Sequence, residues 1–154
     1  MKRYTDLLND ARTRVQEIAP WDLRARLDQG EDLLLLDVRE PSEFEALRIA
    51  GSLNVPRGIL ESACEWDYEE TNPALAAGRS RAIVVICRSG YRSLLAADVM
   101  QQLGFAQVVS LRTGVKGWND FDQPLVDRDG QLLEGGVAER LLQPAVRAEQ
   151  RRPK

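Results

Sequence analysis

The chain has 154 residues, enough for one domain with a sizeable core plus modest extensions, and its 21 Lys and Arg against 24 Asp and Glu give a formal net charge of −3. That balance disfavours a nucleic-acid surface, and no apolar run approaches the roughly 18 residues of a membrane span. Histidine is absent, which excludes cysteine–histidine dyads, serine–histidine triads and histidine metal sites.

The first residues are charged (Lys2, Arg3, Asp6, Asp10, Arg12) with no apolar signal core between them, so the expected location is the cytoplasm. Tyr4, Leu7, Leu8 and Ala11 fall at helical spacing and predict a short leading helix, with residues 1–14 as a helical extension. Residues 15–18 read as an edge strand. Pro20 suits a first helical position, and that helix runs through Leu23 and Leu27 to a stop at Gly30. Residues 33–38 are a near-continuous apolar run of strand length, the pattern of a strand buried on both faces of a parallel sheet.

Pro41, Glu43, Phe44 and Ala46 predict a short helix, and residues 51–55 another short strand. Residues 58–66 read as a helix, followed by the solvated acidic stretch Asp67-Tyr68-Glu69-Glu70. Residues 82–86 are a second fully apolar strand, and residues 93–103 a helix that ends at Gly104. Residues 107–111 give the last strand, followed by Gly114, Gly117 and Trp118, which read as turn and packing residues. Beyond Asp127 the pattern weakens to a helix at 137–142 and a polar, basic end at 147–154, expected to be mobile. Strands alternating with helices imply an α/β domain over residues 15–126, with a mainly parallel five-stranded sheet and helices on both faces. Residues 127–154 form a tail, partly helical or disordered.

The chemistry concentrates in Cys87-Arg88-Ser89-Gly90-Tyr91-Arg92-Ser93, directly after the second apolar strand. A buried strand ending on cysteine, then a short loop with two arginines, a glycine and two serines, places a nucleophile in an anion pocket. Backbone N–H groups of the loop and of the following helix can converge on one negative charge, and with Arg88 and Arg92 they favour a thiolate. A cation in a first helical turn is electrostatically unfavourable, which favours a pocket role for Arg92. Tyr91 either walls the pocket or faces solvent. Asp37 and Arg39 end the other buried strand and read as a hydrogen-bonded pair bracing the loop. Cys64 sits in a predicted amphipathic helix without a basic neighbour and reads as a packing residue. The two cysteines form no C-x-x-C, so neither a disulfide framework nor a zinc site is expected, and no cofactor is implied.

Four ordered segments resemble a single-domain rhodanese. Asp37-Val38-Arg39-Glu40 with Glu43-Phe44 is similar to the family's D-V-R-x-x-x-E-[FY] segment. Ile49 to Pro56 is similar to its H-I-x-G-A-x-N-[IV]-P segment, Cys87 to Ser93 to its C-x-S-G-x-R-S loop, and Leu111 to Trp118 to its closing L-x-G-G-x-x-x-W. Val55 to Glu61 and the insert that follows are similar to the polysulfide-sulfurtransferase-like branch. Two positions depart: Arg48 stands where histidine is common, and Thr113 where the first glycine is common. Arg48 would add positive charge if it lay at the pocket mouth.

The resemblance implies a two-step sulfur transfer. A Cys87 thiolate takes sulfane sulfur from thiosulfate, polysulfide or a low-molecular-weight persulfide, and an acceptor (cyanide, a small thiol or a sulfur-acceptor protein) removes it. Such exchange needs a thiolate and a stabilised leaving anion but no general base, consistent with the missing histidine. The alternatives are a sulfur carrier in a relay with a partner thiol protein, a cysteine phosphatase or arsenate reductase-like enzyme, and a non-enzymatic binding module. Phosphatase loops of this type need five residues between cysteine and arginine, whereas four separate Cys87 from Arg92. The expected partners are small sulfur-containing anions and thiols, not nucleic acid or a membrane.

Overall fold

A computed structural model describes all 154 residues. Its centre is a five-stranded, all-parallel sheet in the order β1-β5-β4-β2-β3. The strands are β1 (Glu17–Ile18), β2 (Leu33–Asp37), β3 (Leu53–Asn54), β4 (Ala82–Ile86) and β5 (Gln107–Leu111). The apolar runs occupy the middle: β2 and β4 pair from Leu33↔Ala82 to Asp37↔Ile86. Period-two alternation sends their side chains into two cores. Leu34, Leu36, Ile83 and Val85 enter one core, and Leu35, Val84 and Ile86 the other.

The first core is covered by α1 (Tyr4–Arg12), α4 (Leu60–Ala63), α5 (Pro73–Ala76) and α6 (Tyr91–Gln102), which contribute Leu8, Ala11, Leu60, Leu75, Leu94 and Met100. The second lies beneath α2 (Pro20–Asp28), α7 (Gly114–Asp120) and α8 (Gly135–Leu142), which contribute Leu23, Val115, Trp118, Ala138 and Leu142. Trp118 is buried and donates from its indole to Pro124 O at 2.9 Å, the packing role expected of it. The short α3 (Pro41–Ala46) follows β2. No helix is long and apolar enough to cross a membrane.

Two local expectations change. The single helix read over 58–66 is a 3₁₀ turn (Arg57–Ile59) and then α4, because Ile59 leaves helical geometry (φ −117°, ψ 9°) and Asn72 N–H donates to Ala63 O and closes the segment. The helix read from 93 begins at Tyr91, since Gly90 itself makes the turn at φ +93°. The helix read over 137–142 is α8, which starts two residues earlier and buries Ala138 and Leu142 in the second core, while Val126 bridges Arg48 and Leu132. Residues 147–154 are exposed throughout.

Candidate active site

β2 and β4 end side by side, so the segments that leave them share one edge of the sheet, where ligands of such folds sit. Val38 N–H donates to Ile86 O at 2.9 Å, one residue before Cys87. The loop from Cys87 to Gly90 is clamped by the start of α7, where Val115 and Lys116 N–H donate to Cys87 O and Arg88 O at 2.9 and 3.0 Å. Two glycines permit this. A Cβ on Gly90 would lie 2.9 Å from Thr113 N, and one on Gly114 would run into the Cys87 and Arg88 carbonyls; both residues have positive φ. Thr113, at the family's usual glycine position, adopts φ +67°, a left-handed conformation unfavourable for a β-branched residue.

Cys87 is buried, and its sulfur meets two groups, the second of which leads to a third. Gly90 N–H donates to Sγ at 3.1 Å. The thiol donates to Ser93 Oγ at 3.3 Å, and Ser93 Oγ lies 2.8 Å from Ser110 Oγ on β5. Both serines are fully buried. When the sulfur is a thiolate the chain reverses: Ser110 donates to Ser93, and Ser93 donates to sulfur. The first-turn N–H groups of α6 have no acceptor within the helix, and the positive end of its dipole abuts the same sulfur. Anionic sulfur therefore has a set of donors already in place.

The two loop arginines, which both line the cavity over Cys87, differ in their partners. Arg92 is not a free cation: its guanidinium forks onto Glu43 of α3 at 2.8 and 2.9 Å. Hydrogen bonding to Arg92 holds the Glu43 carboxyl below the usual carboxylate range, and Glu43 raises Arg92 in turn. Arg88 has no acidic partner; it donates to Leu142 O at the end of α8. The uncompensated positive charge of the loop is thus Arg88.

Asp37 and Arg39 form a buried ion pair at 2.8 Å, and Arg39 also donates to Leu47 O at 2.7 Å and Glu43 O at 3.4 Å. Asn54 of β3 donates to the carbonyls of both. This network fixes α3, hence Glu43, hence Arg92. Arg48 is not part of the site. It donates to Phe44 O and Arg128 O and lies over the Phe44 ring at 4.6 Å, anchoring the segment after residue 126.

A cavity of about 180 Å³ opens over Cys87, lined by Tyr4, Cys87, Arg88, Ser89, Tyr91 and Arg92. Tyr91 walls it while remaining about half exposed. Tyr4, Glu43 and Ser110 complete the site although the sequence reading did not place them there. Glu43 stood in a recognised motif, and nothing in sequence distinguished the other two. Cys64 is fully buried, and burial pushes its thiol up to about 11, as suits a packing residue. A larger concavity of about 470 Å³ between α7 and α8, lined mainly by residues such as Asn119, Asp120, Gln123 and Glu139, holds no nucleophile.

Known proteins share the sequence and the fold of this chain. The Rhodanese-like domain profile matches residues 19–121. A sulfurtransferase of Allochromatium vinosum is 31% identical over 116 residues, covering 75% of this chain and 99% of that one. A Mycobacterium tuberculosis protein named "probable adenylyltransferase/sulfurtransferase MoeZ" is 31% identical over 107 residues; the match takes 70% of this chain but spans only 25% of that protein. Among solved structures, a Rhodopseudomonas palustris protein of unknown function, described as a possible tyrosine phosphatase, superposes with a TM-score of 0.74 at 27% identity. That superposition covers 80% of this chain and 94% of the other.

Proposed function

The chain belongs to the rhodanese-like domain family, and from that premise we propose that it is a sulfurtransferase in which Cys87 carries sulfane sulfur as a persulfide. In the first step the Cys87 thiolate attacks the terminal sulfur of a donor. A new S–S bond forms, the donor's bond to that sulfur breaks, and its electron pair leaves with the remaining anion. In the second step an acceptor thiolate or cyanide takes the outer sulfur and regenerates the thiolate. Neither step moves a proton at the reacting sulfur, which suits a site without histidine.

The observation that carries this reading is the donor set on sulfur: Gly90 N–H, the Ser93–Ser110 hydroxyl chain and the α6 N-terminus. It stabilises one anionic sulfur atom at a fixed place. A phosphoryl group would need an open cradle and a free arginine fork. Here the loop is one residue shorter than a phosphatase loop, and the Arg92 fork is occupied by Glu43.

The test is an assay of thiocyanate formed from cyanide with thiosulfate or polysulfide as donor, beside hydrolysis of an aryl phosphate. Thiocyanate production abolished by Cys87→Ser, without phosphate release, is the expected result. Phosphate release that depends on Cys87 would contradict the reading. Substituting a protein thiol for cyanide as acceptor distinguishes an enzyme with small acceptors from a carrier.

A further inference from the structure

We propose that Tyr4, which precedes the matched family region, is a specificity-determining residue: with Tyr91 it forms an aromatic rim over Cys87 that favours sulfane donors bearing one negative charge on an apolar organic body over the dianion thiosulfate. The proposal rests on the sulfur-transfer reading of Cys87.

Three observations carry it. The first is placement. Tyr4 and Tyr91 stand on opposite elements of the cavity with ring centroids 6.2 Å apart and an interplanar angle of 88°. Both rings are about half exposed and line the cavity that holds Cys87, so each offers ring surface at its mouth. Edge-to-face rings take up sulfur and apolar groups favourably.

The second is anchoring. Tyr4 opens α1, yet the helix is not left to fray. Leu8 and Ala11 are buried in the first core, and Arg14, just past the helix, forks onto Asp98 of α6 at 2.8 and 2.9 Å. α6 also carries Tyr91, so the two rings share one support.

The third is charge. Of the two guanidinium groups lining the cavity, Arg92 is neutralised by Glu43 and only Arg88 lacks an acidic partner. One free cation matches a monoanion; a dianion would keep one charge unpaired against an aromatic wall. Partial burial and the nearby Cys87 keep the Tyr4 hydroxyl protonated, so the rim itself adds no negative charge.

An aryl thiosulfonate has the required form. Thiolate attack on its sulfane sulfur makes the Cys87 S–S bond, breaks the bond to the sulfonyl sulfur and releases an aryl sulfinate with the electron pair. Thiosulfate reacts alike and releases sulfite, and charge balances in both cases.

The experiment measures kcat/KM for persulfide formation with benzenethiosulfonate and with thiosulfate, in the full chain and in Tyr4→Ala and Tyr4→Phe. The expected result is a benzenethiosulfonate-to-thiosulfate ratio roughly fivefold lower in Tyr4→Ala, carried by KM, and largely restored in Tyr4→Phe, which keeps the ring. An unchanged ratio in Tyr4→Ala, or an equal loss in both variants, overturns the rim. Failure of both donors to load the wild-type chain overturns the sulfur-transfer reading beneath it.

Discussion

The Cys87 sulfur is served by a hydroxyl chain whose polarity depends on its charge. As a thiol it donates to Ser93; as a thiolate it accepts from Ser93, which accepts from Ser110. A hydrogen bond to a charged acceptor contributes more than one between neutral groups, so the chain favours the anion. Ser93→Ala is expected to slow sulfur loading by roughly ten- to a hundredfold, from about 1.5–3 kcal/mol of lost charge-assisted bonding. Ser110→Ala, one bond further away, should cost less. Stopped-flow loading of the two variants beside the wild type would check this: the deficit should be larger in Ser93→Ala than in Ser110→Ala, and wild-type rates in Ser93→Ala would contradict it. The buried Ser110 hydroxyl is satisfied by Ser93, so this polar side chain sits near the end of β5 without an unpaired group.

Among the elements, α3 acts as a brace. Its fixed point is the Asp37–Arg39 pair at the end of β2, and its working end is Glu43, which holds Arg92 at the start of α6. Because the folded-state value of Glu43 is lowered, its contribution is present above the ordinary carboxyl value of 4.5 and is lost as pH falls below it. Thermal melting followed from neutral to acid pH should therefore show a steeper loss below that value in the wild type than in Glu43→Gln. Coincident acid limbs would show that the pair stabilises nothing. The pair is about one-third exposed, so its worth is set by geometry more than by charge.

The elements differ in how far sequence alone revealed them. β2 and β4 were legible because each is an unbroken apolar run, and α6 because Leu95, Val99, Met100 and Leu103 fall at helical spacing before Gly104. Of these only Met100 is fully buried, and the core face is carried by Leu94, Ala96 and Ala97. The Cys87 loop was legible because cysteine, glycine, arginine and serine stand together. The Arg92–Glu43 fork joins positions 49 apart, and the Tyr4–Tyr91 rim joins the N-terminal helix to the start of α6, far along the chain. Such pairs depend on strand order and helix docking, and no local pattern encodes them. Arg48 illustrates the converse: a charge at a motif position invited a pocket role, but the bridge between Arg48 and Val126 turns it toward the C-terminal segment.

For the whole molecule, the site is a meeting of distant segments around one strand end. β4 delivers the cysteine, α7 clamps its loop, α3 neutralises one arginine, α8 engages the other, and α1 supplies half of the rim. Two cores on opposite faces of one parallel sheet hold these parts in register. In the proposed sulfur transfer this assembly makes Cys87, and not Cys64, the residue that carries sulfur. Peptide mass spectrometry of the reduced protein after incubation with a sulfane donor tests it most directly. One added sulfur atom on the Cys87 peptide, absent in Cys87→Ser and never on Cys64, is the predicted result. Sulfur found on Cys64, or gained equally by Cys87→Ser, would contradict it.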